Sequence, residues 1–484
     1  MSHQAKNWWE SSSRDELHHR QGELLRHFLK NRVVPFAAYY RKLFADHDLS
    51  ADDIQSTDDL TKLPFTSKRH FENPKDFVII PDEDVLKHQW STIKRAITRG
   101  PTRAKIELEE ELRPILLTST TGRSSAPVPF LYTKHDLHQL EVGGRRMMEL
   151  CQSDPAWRHI NAFPFAPHLA FWQAHYASLG YNAFMVASGG GKTMGTEGNI
   201  RLIDKIDPDA IIAMPTFLYH LLQEGAAAGS RWKNLKRLVL GGEKVPAGMR
   251  RKLRDLCTEM GAPQVAIMST YGFTEAKVAW TECMAPAGAE PSGFHTYPDM
   301  GFVEIIDPES GERVPDHHPG EIVITHLDSR GTIVLRYRTG DLIDGGLSHE
   351  PCPYCGRRCP RLIGKISRVS DIQRLNIGKL KGTLVDFNRL ENLLDDTDNL
   401  GAWQMEIRKR NDDPLESDIL IVHAVAMTDD QEQLRDAVNE RFRSVTEFSP
   451  NEIVFHSWDK MRKMQGVGKE LKEKKVVDHR PKET

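Results

Sequence analysis

Ala210-Ile211-Ile212-Ala213-Met214, the helix-like stretch 216–225 and Leu238-Val239-Leu240 form the passage whose reading decides the fold. A short apolar run, an amphipathic stretch and a second short apolar run spell strand, helix, strand. The rhythm continues on both sides, from residue 113 to 268. Further strand-like runs lie at 115–117, 183–187 and 265–268, and another helix candidate lies at 247–259. A largely parallel sheet covered by helices is the architecture this alternation predicts.

Working outward, residues 15–48 read as helical, with Leu17, Leu24, Leu25, Phe28 and Leu29 at helical spacing and Pro35 expected to break the run. Asp58-Asp59-Leu60 and Lys62-Leu63-Pro64-Phe65 read as a short helix leading into a surface loop. After Glu275 the texture changes. Short β-rich runs at 302–306, 321–325 and 332–337, separated by Pro, Gly and Asp turns, predict an antiparallel, barrel-like subdomain. A third texture follows Arg368: helix candidates at 390–395 and 431–443, strand candidates at 403–408, 419–426 and 452–456. The expected class is therefore α/β. A large N-terminal domain (1–369, with its β-rich part at about 276–369) precedes a small α+β C-terminal domain (370–484) that ends in a Lys/Glu-rich tail.

At 484 residues the chain is too long for one ordinary core. Its 39% hydrophobic and 27% charged residues are those of a soluble globular protein, and the net charge of -3 gives no reason to expect nucleic acid or an anionic membrane as partner. No run approaches eighteen apolar residues, and the N-terminus lacks the apolar core of a signal peptide, so a cytoplasmic protein is expected. Six cysteines are too few for a disulfide scaffold, but Cys352, Cys355 and Cys359 crowd together.

Two strings carry the chemistry. Tyr271-Gly272-Phe273-Thr274-Glu275 and Tyr337-Arg338-Thr339-Gly340-Asp341 each set a hydroxyl or a backbone turn beside a carboxylate. A glutamate next to a threonine can take Mg²⁺ while the hydroxyl meets a phosphate oxygen, and an aspartate after Thr-Gly can accept both ribose hydroxyls. Upstream, Thr118-Ser119-Thr120-Thr121-Gly122-Arg123-Ser124-Ser125 follows a strand-like run and reads either as a polyphosphate loop or as a solvated turn. No Gly-Lys-Ser/Thr closes it, so it is not a Walker loop. Gly241-Gly242-Glu243 follows another strand-like run; it either lets a flat ring approach the backbone or is a plain strand-to-helix turn. Cys352-Pro353-Tyr354-Cys355 is a Cys-x2-Cys knuckle, which suits a tetrahedral zinc or leaves two reduced thiols.

In this order the pieces resemble the adenylate-forming superfamily, and within it the phenylacetate–CoA ligase-like branch. The likeness runs over almost the whole chain, including Val34-Pro35-Phe36 and Leu63-Pro64-Phe65-Thr66-Ser67-Lys68. It implies that Thr118, Thr120, Thr121 and Gly122 form the phosphate loop and that Gly241, Gly242 and Glu243 border the adenine. Tyr271, Gly272 and Thr274 would line adenine and α-phosphate, with Glu275 on Mg²⁺ and Asp341 on the ribose beside Arg368. The hinge would fall at Ser370 and Asp371, and Lys469 would reach the carboxylate and α-phosphate. On sequence alone Lys469 is equally one solvated lysine among many. The branch also implies Cys283 and His295 as the partners of Cys352 and Cys355 in a structural zinc site, with Cys359 the rival ligand. Phe163, Phe165, His168, Phe171 and Trp172 fall where the family puts its acid pocket, though each reads equally as core. The chain departs from the family at Ser119, where glycine is preferred, and at Pro127, where the loop's proline is displaced. It also lacks the glycine before the hinge arginine and the usual lead-in to Gly468-Lys469.

The implied function is ATP-dependent activation of a carboxylic acid, expected to be aromatic, as its acyl-adenylate, followed by transfer to a thiol, CoA first. ATP, Mg²⁺, CoA and structural Zn²⁺ are the implied cofactors. No nucleic acid or membrane partner is expected, and a homodimer is in keeping with the branch. The rivals are transfer to an amine or a carrier protein in a secondary-metabolite pathway, and a catalytically silent nucleotide-binding interaction protein.

Overall fold

A computed structural model describes residues 8–81, 90–120, 127–286, 288–368, 372–377, 380–412, 416–446, 448–467 and 473–480. The chain forms two compact units. One comprises Met1–Trp157, Ala166–Met185 and Met268–Ile366; the other comprises Arg158–Phe165, Val186–Ile267 and Ser367–Thr484.

In the first unit, Ser13 opens the helix Arg14–Phe28 with a capping box in which its hydroxyl accepts from the Glu16 N–H and Glu16 reaches back to the Ser13 N–H. The helical run passes through Leu29–Val33 and Val34–Phe36 and breaks at Ala37 (φ −102°, ψ 109°), two residues later than expected. Pro35 sits in the first turn of the short helix Val34–Phe36, a place where a missing N–H is tolerated. The unit's core joins Phe28, with Tyr40 and Phe44 of the following helix Ala38–Asp46, to Phe77, Phe130, Trp280 and Tyr337.

Gly301–Ile306, Gly320–His326 and Tyr337–Ile343 form the expected antiparallel sheet. The run 332–337 is not itself a strand. Arg336 takes a left-handed φ of 43°, and its N–H bonds the Thr325 hydroxyl instead of a ladder carbonyl, so the strand begins only at Tyr337. A second antiparallel ribbon pairs residues 270–272 with Ala279–Thr281, then Phe294–His295, Arg361–Leu362 and Leu347–Ser348.

In the second unit, Ala210–Ala213 and Arg237–Leu240 pair in parallel, as the opening passage predicts, and Arg158–Asn161, a strand the sequence reading does not include, pairs in parallel with Ala210–Ala213. All four residues of Ala210–Ala213 are buried, which is why the run is continuously apolar rather than alternating. The helices Gly190–Ile206, Pro215–Ala227 and Ala247–Glu259 connect and follow these strands. The same unit holds a four-stranded sheet of Leu400–Lys409, Asp418–Ala426, Glu452–Phe455 and Val476–Asp478. Phe387, Leu390, Leu394, Leu434, Val438 and Phe442 from the helices Phe387–Asp395 and Gln431–Val445 pack on Trp403, Met405, Leu420 and Val422. The α/β class, the β-rich region and the small α+β region are thus all present. Among the described residues no helix is long and apolar enough to cross a membrane.

Candidate active site

The two motif strings meet in the first unit by exchanging tyrosines. Tyr271 donates its hydroxyl to Asp341 at 2.8 Å, and Tyr337 donates its own to Glu275 at 2.8 Å. Each string therefore orients the other's carboxylate. Asp341 is buried, and its N–H is held by Thr339 at 3.0 Å. Gly340 donates its N–H to Glu321, whose carboxylate also receives Arg338. The strand is thereby fixed on both sides of the aspartate.

The base of the hydroxyl-rich loop joins this arrangement. Leu116–Ser119 pairs with Pro129–Tyr132, and the ends of the loop between them are closed by Thr120. Its N–H donates to the Val128 carbonyl at 3.1 Å, and its hydroxyl accepts the Val128 N–H at 2.9 Å. Thr118 is buried and donates to the Tyr132 hydroxyl. The Ser119 carbonyl receives the Thr274 hydroxyl at 3.4 Å and His168 Nδ1 at 3.0 Å. A carbonyl can only accept, so His168 Nδ1 carries a hydrogen, and its Nε2 is buried with no hydrogen-bond partner among the described residues. Phe171 and Trp172, on the helix Leu169–Tyr181, cluster with His175 and Tyr176. Thr121 and Gly122 lie outside the described residues, as do Ser370, Asp371 and Lys469.

In the second unit, Gly241-Gly242-Glu243 caps the strand Arg237–Leu240. Gly241 continues the parallel ladder to the Ala213 carbonyl, Gly242 turns the chain at φ 82°, and Glu243 accepts the Thr216 N–H at 3.2 Å. A carboxylate at the first turn of Pro215–Ala227 is favoured by the helix's unpaired N–H groups. Phe163 is buried in this unit and Phe165 is exposed; Arg368 is an exposed residue of the strand Ile366–Arg368.

A buried polar cluster beneath the Thr274–Glu275 turn was not singled out from the sequence. Lys277, two residues past Glu275, is only 7% exposed. Its ammonium contacts Asp136 at 2.8 Å, Ser329 at 2.8 Å and the Thr332 carbonyl at 3.2 Å, and it lies over the Tyr132 ring. Asp136 also accepts N–H groups from Thr133, Arg330 and Gly331. Burial alone would raise the Asp136 pKa, but Lys277 and these donors hold it well below the usual carboxylate range. Beside the pair, His326 bonds the Glu275 carbonyl at 2.9 Å. Burial, then the Lys277 charge, push its pKa down to about 3. Two signals were available: a lone lysine in the otherwise apolar run Ala276-Lys277-Val278-Ala279, and the Thr133-x-x-Asp136 spacing of a helix start.

Cys283, His295, Cys352 and Cys355 converge in the same unit, their ligand atoms all within 4.8 Å of one another. The Cys283 and Cys352 sulfurs are 3.6 Å apart, and Cys355 Sγ lies 3.8 Å from His295 Nε2. With Zn–S near 2.3 Å and Zn–N near 2.0 Å, a tetrahedral ion needs edges of about 3.5–3.8 Å. The four residues fit. Cys359 Sγ instead faces His295 Nδ1 at 3.3 Å, on the far side of the ring, where an outer partner that orients a ligating histidine belongs.

The AMP-binding enzyme family matches residues 157–327. The phenylacetate–coenzyme A ligase of Aromatoleum evansii is 30% identical over 353 residues, covering 69% of this chain and 67% of that protein. The enzyme of the same name from Escherichia coli is 24% identical over 416 residues, covering 83% and 81%. Among solved structures, 2-hydroxyisobutyryl-CoA ligase in its postadenylation state superposes with a TM-score of 0.76 at 18% identity, covering 97% of this chain and 91% of that one, and so shares its fold. With the motif strings interlocked as described, the chain belongs to the AMP-binding enzymes, in the phenylacetate–coenzyme A ligase family, and is an adenylate-forming acid–thiol ligase.

Proposed function

We propose that this ligase activates an aromatic carboxylic acid with ATP and passes the acyl group to the thiol of CoA. One acid oxygen attacks the α-phosphorus and the bond to pyrophosphate breaks. The thiol sulfur then attacks the acyl carbon, loses its proton and expels AMP. The observation that carries this reading is the reciprocal pair Tyr271–Asp341 and Tyr337–Glu275, which holds two carboxylates in place; in this reading one serves a ribose and the other a divalent cation. Mg²⁺ on Glu275 would neutralise phosphate charge as it builds.

In this reading Thr118, Thr120, Thr121 and Gly122 hold the phosphates and Thr274 meets the α-phosphate. Gly241, Gly242, Glu243, Tyr271 and Gly272 border the adenine, and Arg368 assists Asp341. Lys469 neutralises the charge that develops when one anion attacks another. The division at 369/370 separates a large domain from a small one that turns about Ser370 and Asp371 between the half-reactions. Phe163, Phe165, His168, Phe171 and Trp172 would shape the acid pocket, their aromatic content favouring an aryl group. Cys283, His295, Cys352 and Cys355 would hold a structural zinc, with no position open for catalysis. We place the enzyme in the cytoplasm, with the dimeric state common in its branch.

ATP–pyrophosphate exchange against aryl, phenylacetyl, heteroaryl and fatty acids, followed by mass spectrometry of products formed with and without CoA, tests the whole reading. Exchange with none of the acids would reject it. Lys469→Ala is expected to abolish acid-dependent pyrophosphate release while sparing thioester formation from a supplied acyl-adenylate; equal loss of both would remove Lys469 from its role.

A further inference from the structure

His326 is a buried histidine with both ring nitrogens engaged, and its partners determine where its hydrogen lies. Nδ1 faces the N–H of Val334 at 3.3 Å, and a backbone N–H can only donate, so Nδ1 is bare. Nε2 faces the carbonyl oxygen of Glu275 at 2.9 Å, an atom that can only accept, so Nε2 carries the hydrogen. The ring is therefore neutral and in a single tautomer. A second proton would set a donor against the Val334 N–H and a cation near the ammonium of Lys277. The Asp136 carboxylate is already committed to Lys277, Ser329 and three backbone donors.

Glu275 is thus gripped at three places. Tyr337 fixes its carboxylate, His326 fixes its carbonyl, and the turn Thr274–Ala276 closes on Lys277. Lys277 takes a left-handed φ of 59°, its N–H returns to the Thr274 carbonyl, and its side chain is anchored below. An ordinary surface turn needs neither a buried ammonium nor a histidine held in one tautomer. A carboxylate that must meet a divalent cation at fixed oxygen distances does need such support.

We propose that His326 is a positioning residue for Glu275: its Nε2–H holds the Glu275 carbonyl and so sets where the carboxylate stands for the cation of the nucleotide. The proposal rests on the ligase reading above. It assigns the metal-directed geometry to a side chain 51 residues away that reaches Glu275 through its backbone carbonyl rather than its carboxylate.

The test titrates Mg²⁺ in acid-dependent ATP–pyrophosphate exchange with wild type, His326→Gln, His326→Asn and His326→Leu. A glutamine amide reaches the position of Nε2, whereas an asparagine amide stops at that of Nδ1. The Leu and Asn variants are expected to raise the Mg²⁺ concentration for half-maximal exchange by about tenfold, the usual scale for losing an outer partner of a metal ligand. The Gln variant is expected to stay close to wild type. A uniform fall in rate with unchanged Mg²⁺ dependence, or equal shifts in Gln and Leu, would overturn the proposal. Should His326→Leu not fold, the Gln and Asn variants decide alone, and equal Mg²⁺ dependence in the two overturns it. Mn²⁺ binding in the presence of ATP, read by water-proton relaxation, requires no acid and no turnover. A wild-type chain that binds Mn²⁺ with ATP but exchanges with no acid rejects the ligase reading, and the same four chains then read the His326 effect from Mn²⁺ affinity. A wild type that does neither overturns both.

Discussion

Glu275 and Glu243 are held under opposite electrostatics, each in its own unit. Glu275 is surrounded by donors: the Tyr337 hydroxyl at its carboxylate, the His326 Nε2–H at its carbonyl, and the paired Lys277–Asp136 below its turn. Glu243 accepts the Thr216 N–H but also meets the buried carboxyl of Glu473. Burial, then the charge of Glu243, raise the Glu473 pKa well above its ordinary value. Lys475 lies near but is engaged with Asp395 at 3.1 Å. The first unit meets the charges around Glu275 with opposite charges and neutral donors. The second holds a contact whose strength depends on pH.

If the first unit is built from matched opposites, breaking a match there should cost the most. The thiol–imidazole cluster is the extreme case. We expect about one zinc per chain, and we expect Cys352→Ser to lose most of it with a stability loss above about 4 kcal/mol, the range reached when a structural metal is lost. Zinc analysis beside chemical unfolding checks both, and purified wild type far below one zinc per chain would end the assignment. Next comes Asp136→Ala, which strands the Lys277 ammonium in the core and should cost about 3–5 kcal/mol. The double variant Asp136→Leu with Lys277→Met should recover much of that, because a buried pair replaced by apolar groups is often tolerated. A loss under about 1 kcal/mol for the single variant would mean that water reaches Lys277, and the contrast between the units would fail.

What the sequence discloses and what it hides follow the same division. Ala210–Ala213 reads as a strand because every residue in it is buried, and the two motif strings stand out because each is contiguous in the chain. The Cys-x2-Cys knuckle is legible for the same reason, whereas Cys283 and His295 came only from family likeness. Residues 332–337 misled because Arg336 adopts a left-handed backbone that no apolar pattern announces. The Lys277 cluster stayed hidden because its partners are remote in the chain: Asp136 and Ser329 are 193 residues apart, and Glu275 and His326 are 51 apart. Periodicity reports which face is buried; it does not say which buried polar groups find each other.

The pH dependence sharpens the comparison, since Glu473 and His326 contribute with opposite sign. Glu473 has a folded pKa above its unfolded value, so the folded state keeps a proton that the unfolded state has already released. Stability from this group is therefore lost as pH rises from about 4.5 through the folded value, with a slope of up to about 1.4 kcal/mol per pH unit. Glu473→Gln should flatten that slope. His326 runs the other way: its folded pKa near 3 lies below the unfolded value of 6.5, so stability is lost as pH falls through that window. His220 in the second unit, pushed down to about 4 chiefly by burial, adds to the same acid-side loss. Unfolding free energies from pH 4 to 8 for wild type, Glu473→Gln and His326→Gln separate these contributions. An unchanged slope in Glu473→Gln would show that the Glu473 carboxyl does not keep its proton in the folded state.

The smallest effects should come from one glycine in each unit. Gly242 turns the chain before Glu243 at φ 82°, and Gly340 does so before Asp341 at φ 71°. A Cβ at Gly340 would meet nothing within 4 Å, and one at Gly242 would meet only Met214 Cγ at 3.8 Å, an ordinary contact. Neither position is closed by sterics, so alanine should cost only the left-handed backbone penalty of about 1–2 kcal/mol. The consequences for function should differ, however. Gly340 also donates its N–H to Glu321 within a strand anchored on both sides, so Gly340→Ala should leave Asp341 in place and ATP affinity within about threefold of wild type, a change under about 1 kcal/mol. Gly242→Ala acts on a turn whose carboxylate already faces another carboxyl, and its ATP affinity should fall further at pH 8 than at pH 6. Equal pH dependence in the two alanine variants would show that the like-charge contact has no hold on the turn.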